Sequence, residues 1–156
     1  MTLGILDQPI FAQSPEGLMQ IGQLLHDETI QVDDARYDIE RNELNFPVRR
    51  QFHGGYETSL QTESEWTVYE KDWMRSLLTI RGVVGWEKHD DQEIGDYTFD
   101  DWALDRETLT IVLHQRMTIS VRIFALDILL TDLGYAGKAR IERKGNGTEI
   151  SSGTVY

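Results

Sequence analysis

Hydrophobic and polar positions alternate most cleanly in the second half of the chain. Leu109, Ile111 and Leu113 alternate with Thr110, Val112 and His114, and Met117, Ile119, Val121 and Ile123 repeat the pattern against Thr118, Ser120 and Arg122. Period-two alternation is the mark of a strand with one buried face. Ahead of these runs, Leu104 and Leu109 flank Asp105-Arg106-Glu107-Thr108, a four-residue polar loop suited to a type I turn. Residues 97–133 therefore predict a three-stranded antiparallel meander, broken at Gln115-Arg116 by a tight turn or bulge, around which the rest of the chain is arranged.

A different spacing governs the start. Ser14-Pro15-Glu16-Gly17 gives an N-cap serine, proline at the first helical position and an acid that suits the positive end of the helix dipole. Leu18, Ile21, Leu24 and Leu25 then make one apolar stripe, predicting a helix over 15–25 that ends near His26. Gly22 weakens that helix by up to about 1 kcal/mol relative to Ala, so packing against a sheet has to support it. Residues 1–13 show no period and read as a lead-in arm.

Further strands follow. Within 30–52, Ala35, Tyr37 and Ile39 alternate inward, Glu40-Arg41-Asn42-Glu43 turns, and Leu44, Phe46 and Val48 return. Pro47 has no N–H, which predicts an edge strand or a position whose N–H would face away from the ladder. Gly54-Gly55 and the polar run 57–65 read as a long exposed loop. Residues 66–70 and 77–84 read as a strand pair, with Arg81-Gly82 as a bulge. Lys144-Gly145-Asn146-Gly147 is a hairpin turn signal, and residues 151–156 read as a frayed tail. Residues 37–46 resemble 102–111, with an acid-Arg pair at both turns; duplication and convergence on one turn chemistry both account for that. Together these elements predict a single α+β domain, mostly β: a largely antiparallel twisted sheet of six to eight strands with one N-terminal helix packed on it.

Composition narrows the function classes. The chain has 156 residues, no cysteine and a net charge of −12. A field of that sign repels phosphate backbones, and Arg49-Arg50 is too short a basic patch for nucleic acid. Without cysteine there are no disulfides, which fits a reducing cytoplasm, and a zinc site would have to use His and carboxylates alone. Residues 1–11 lack the basic and long apolar regions of a signal peptide, and no apolar run approaches the roughly 20 residues that cross a bilayer. The expectation is a cytoplasmic protein with no membrane contact.

Chemistry-bearing motifs are sparse. No nucleophile elbow, phosphate loop or zinc-binding H-E-x-x-H helix is present. His26-Asp27 reads as a helix exit, where a histidine complements the dipole. His26, His89, Asp90 and Asp91 form the alternative set for a metal-assisted hydrolase. The most acidic stretch, 89–101, carries Asp90, Asp91, Glu93, Asp96, Asp100 and Asp101, but it does not follow the EF-hand calcium pattern. Of Trp66, Trp73, Trp86 and Trp102, the second and third, beside Asp72 and Glu87, are expected to be the more exposed.

Leu25-His26-Asp27, then a strand hairpin, Leu78-Thr79-Ile80-Arg81-Gly82-Val83, and Ile94-Gly95-Asp96-Tyr97 leading to Leu109-Thr110-Ile111 resemble small uncharacterised bacterial β-rich domains. Some relatives of those domains are immunity proteins of polymorphic toxin systems. The likeness covers residues 24–133; the loop at 54–65 and the C-terminal hairpin depart from it. It implies a binding role without catalytic residues or cofactors. The leading expectation is a non-enzymatic interaction module, immunity-like, whose acidic surface docks on a basic protein through Trp86, Asp90, Asp91, Glu93 and Asp96. A structural homo-oligomer and the metal-assisted hydrolase are the alternatives.

Overall fold

The computed structural model describes residues 8–51, 57–63, 66–89, 97–114, 117–144 and 149–154, with side chains over 8–50, 73–89, 97–114 and 117–134. In chain order these are β1 (Ile10–Ala12), α1 (Pro15–Leu25), β2 (Thr29–Ile30), a 3-10 turn (Val32–Asp34), β3 (Arg36–Asp38), β4 (Glu43–Gln51), β5 (Glu57–Glu63), β6 (Trp66–Arg81), β7 (Val83–His89), β8 (Tyr97–Asp105), β9 (Thr108–Leu113), β10 (Thr118–Ile123), β11 (Ile128–Lys144) and β12 (Glu149–Thr154). No helix among the described residues is long and apolar enough to cross a membrane.

Twelve strands join in one antiparallel sheet whose main path runs β1-β11-β6-β4-β2-β8-β9-β10-β7, with β12 on β11, β3 on β4 and β5 on β6. The antiparallel sheet with one helix is as expected, but the count of six to eight strands is not. The additional strands are those whose side chains carry little alternation. β1, β2 and β3 span two or three residues each, so the lead-in arm contributes a strand at Ile10–Ala12. The polar run expected as a loop is β5, paired with β6. The expected strand pair at 66–84 is one 16-residue strand up to Arg81, and Ser151 to Thr154, expected to fray, pair with β11. Ladder hydrogen bonds are made by backbone and do not require an apolar face. The Lys144-Gly145-Asn146-Gly147 turn lies largely outside the described residues.

The three antiparallel strands of the meander are found as predicted, and the turn expected at Gln115-Arg116 lies outside the described residues. β8, β9 and β10 are successive neighbours, and Leu109, Ile111, Leu113, Met117, Ile119, Val121 and Ile123 are all buried. Its first loop is tighter than expected: pairing continues to Asp105 and Thr108, and Arg106 takes a positive φ of 56°. The similar stretch at 37–46 closes differently, with Asp38 opposite Glu43 and the positive φ at Asn42. The shared acid-Arg pair therefore does not specify one turn. Ile39, expected inward, falls in that wider loop and is 74% exposed.

The sheet bends over a single core. β4 and β7 are far apart along the strand path, yet Phe46 and Trp86 meet edge to face at 5.9 Å, and the Tyr37 hydroxyl donates to the Val83 carbonyl at 3.0 Å. Arg81-Gly82, predicted as a bulge, is the corner that makes this possible. Gly82 has φ +73°, a conformation that costs glycine little, and its carbonyl accepts from Phe124 N at 3.0 Å. Pro47 sits on an interior strand, opposite Leu77 of β6. Its carbonyl accepts from Gln31 N, so its nitrogen also points to that side, away from the β6 ladder. The second of the two positions expected for it is the one it takes.

α1 begins at the predicted cap, with Ser14 Oγ accepting from Gly17 N at 3.2 Å. It packs on β1 and β8, burying Leu18, Ile21 and Leu25. Gly22 has a reason here: a Cβ at this position would stand 2.9 Å from Trp102 Nε1, and that indole donates to the Leu18 carbonyl at 2.8 Å. At the far end of the core, Arg50 and Asp132 form an ion pair with both side chains at most 1% exposed. Ser76 Oγ donates to the same carboxylate at 2.6 Å.

Two stability outcomes are expected. Gly22→Ala should destabilise the fold by about 1–3 kcal/mol through overpacking, despite a helix-propensity gain of up to about 1 kcal/mol. Denaturant midpoints should show that loss shrinking in a Trp102→Phe background. Asp132→Ala should cost about 3–5 kcal/mol by stranding a buried guanidinium; a loss below about 1 kcal/mol would mean that Arg50 finds water instead.

Candidate functional site

Along β8 the inward positions are Tyr97 and Phe99, and then Trp102. The step from two to three residues is a β-bulge: Phe99 lies opposite Leu113, Asp101 lies opposite Val112, and Asp100 is the extra residue. A bulge turns the following residues over and re-aims a side chain at the point of insertion. Here it sends Trp102 into the core and leaves Asp100 partly exposed beside the exit of α1.

The chain leaving α1 is fixed against that bulge. Asp27 N donates to the Phe99 carbonyl at 2.8 Å, and Phe99 N donates to the Glu28 carbonyl at 2.9 Å. Asp27 itself has φ +64°, a left-handed conformation that Asp tolerates better than most residues. His26 Nδ1 donates to the Asp100 carbonyl at 2.8 Å. His114, which follows the outward positions Thr110 and Val112 of β9, completes the group. Its backbone N donates to the Thr98 carbonyl at 3.0 Å, and its Nε2 stands 2.8 Å from Asp27 Oδ1.

Two imidazoles and two carboxylates thus share one surface. The His26 and His114 rings meet edge to face at 5.7 Å. His26 Nε2 is 3.5 Å from Asp27 Oδ2, and Asp100 Oδ1 lies 3.9 Å from His26 Nδ1 and 3.8 Å from His114 Nε2. All four side chains are between 40% and 66% exposed, so solvent screens these charges.

Beside this cluster, between α1 and β8, runs an open groove of about 380 Å³. Leu18, Gly22 and Trp102 make an apolar floor, and Met19 stands exposed on the helix side. His26, Asp100 and Asp101 form the polar rim.

Of the residues singled out in the sequence, His26 is in this cluster. Asp90, Asp91, Glu93 and Asp96 lie outside the described residues. Trp86 is half-buried on the edge strand β7, its ring against Phe46, so it is packed more than presented. Trp73 is half-buried as well, and Trp102 is buried. His89 lies opposite Thr118, which lies opposite Val112, so two strand spacings, about 10 Å, separate it from the β9 edge where His114 follows. Its Nε2 is 3.9 Å from Glu87. The structure therefore groups His26 with Asp100 and His114 rather than with His89.

One titration follows from this geometry. The His26 pKa is raised, first by the hydrogen bond to the Asp100 carbonyl; burial, the next largest influence, opposes it, and the charges of Asp27, Asp100 and Asp101 each raise it further. A histidine whose folded pKa exceeds its unfolded one adds stability below the unfolded pKa and loses that contribution as pH rises through the folded one. Stability should therefore decline from about pH 6.5 upward, and His26→Gln should remove that slope. In NMR titrations Asp27→Asn and Asp100→Asn should each lower the His26 pKa only in part, because the carbonyl remains.

No protein-family model, curated protein or solved structure matches this chain, and the functional reading rests on the geometry above.

Proposed function

We propose that the protein is a non-enzymatic interaction module that docks a basic partner, with the groove between α1 and β8 receiving a lysine or arginine side chain. The observation that carries this reading is the pairing of an apolar floor with a rim on which the carboxylates of Asp100 and Asp101 stand beside His26. Long basic side chains have the same division: an aliphatic stem that packs on apolar surface and a charged head that seeks carboxylates. Leu18, Met19 and Trp102 suit the stem, and Asp100 and Asp101 suit the head.

The net charge of −12 supports the same partner class over longer distance. Opposite potentials raise the association rate and select against acidic competitors. A toxin-neutralising role, as the resemblance to immunity proteins implies, is one form such docking takes. The homo-oligomer reading, through an edge near Pro47 or the C-terminal hairpin, has less support at the first of these, because Pro47 lies on β4, between β2 and β6.

An arginine- and lysine-rich peptide serves as probe in an NMR titration of the full chain, with a glutamate-rich peptide as control. Shifts should concentrate at Met19, Gln23 and Asp101, and affinity should fall steeply with added salt. Asp100→Asn/Asp101→Asn should weaken binding about tenfold, corresponding to roughly 1.4 kcal/mol. Binding that persists unchanged at high salt, or that maps away from the groove, would overturn the proposal.

A further inference from the structure

We infer that His26, Asp100 and His114 form a binding site for a divalent transition-metal ion of the zinc class. The three residues come from the exit of α1, the bulge of β8 and the end of β9, and one donor atom from each lies within 4.8 Å of the others. His26 Nδ1 and His114 Nε2 face the same carboxylate oxygen, Asp100 Oδ1, at 3.9 and 3.8 Å. A tetrahedral zinc ion with bonds of about 2.0–2.1 Å holds its donors about 3.4 Å apart. Those two edges need to draw in by about half an ångström, and the edge between the two imidazole nitrogens, at most 4.8 Å, by up to about 1.4 Å, within reach of exposed side chains on rotatable bonds.

The donor types choose the ion. Two imidazole nitrogens with a carboxylate suit Zn²⁺, Co²⁺ or Ni²⁺, whereas Ca²⁺ and Mg²⁺ take oxygen ligands. Asp27 adds a second carboxylate from the same turn. Its oxygens lie 3.5 Å from His26 Nε2 and 2.8 Å from His114 Nε2, so in the metal-free protein it braces both rings and supplies the negative charge that offsets a dication. Binding displaces two protons, the one that His26 Nδ1 donates to the Asp100 carbonyl and the one that His114 Nε2 donates to Asp27, and each moves to the other nitrogen of its ring or to solvent.

This inference does not depend on the docking groove, and the two separate by mutation. His114 lies outside the groove, and Asp101 lies outside the metal set.

The test adds Zn²⁺ to the metal-free full chain in a calorimeter and Co²⁺ in a spectrophotometer. One equivalent should bind, and Co²⁺ should give the visible absorption of a four- or five-coordinate ion with nitrogen ligands. His26→Ala, Asp100→Ala and His114→Ala should each lower affinity by more than about tenfold, since even residues that only orient a ligand cost 10–100-fold. His89→Ala should leave affinity unchanged. A second measurement needs no variant: Zn²⁺ should shift the ring protons of His26 and His114 in the wild-type spectrum and leave those of His89 in place. Failure to saturate, equal loss in His89→Ala, or unmoved His26 and His114 signals would each overturn the assignment.

Discussion

An extra residue in one strand organises the surface beside the exit of α1. Asp100 has no partner of its own in the β8 ladder, and its insertion moves the inward register from Phe99 to Trp102. The indole then reaches the helix, where Gly22 leaves room for it and the Leu18 carbonyl accepts its N–H. Had the alternation continued, Asp101 would face the core and the tryptophan would face water. A buried carboxylate without a partner would cost several kcal/mol, so bulge, tryptophan and glycine are one solution to a single packing problem.

The opposite end of the core is held by charge. Along β4, Leu44, Phe46, Val48 and Arg50 all point inward, and the last of them brings a guanidinium where an aliphatic residue would be usual. Asp132 on β11 accepts from it and Ser76 on β6 donates to that same carboxylate, so three strands that are consecutive in the sheet are tied by one hydrogen-bonded group. Such a group adds little net stability compared with a hydrophobic replacement, yet it penalises any register that separates its members. β6 and β11 carry register irregularities just past this point, where a fixed reference position has most to do.

How much of this was legible in the sequence depends on how local each signal is. The α1 cap at Ser14, the stripe through Leu25 and the alternation of β9 and β10 are properties of neighbouring residues, and the structure reproduces them. β5 and the middle of β6 are polar stretches that become strands only because other strands lie beside them, and nothing in their own composition announces that. The cluster at His26 was harder still, since Asp100 and His114 are distant along the chain. A signal for it did exist: Tyr97, Phe99, Trp102 and Leu104 are spaced two, three and two, and that slip in period marks the bulge.

The pairing of β1 with β11 sets Ile10 beside Leu130, residues 120 apart in sequence. α1 rests on that short strand, and both the groove and the histidine cluster lie along its flank. Contacts between segments so distant are the entropically expensive ones to close, so the surface at the end of α1 depends on long-range closure of the sheet and not on the helix alone.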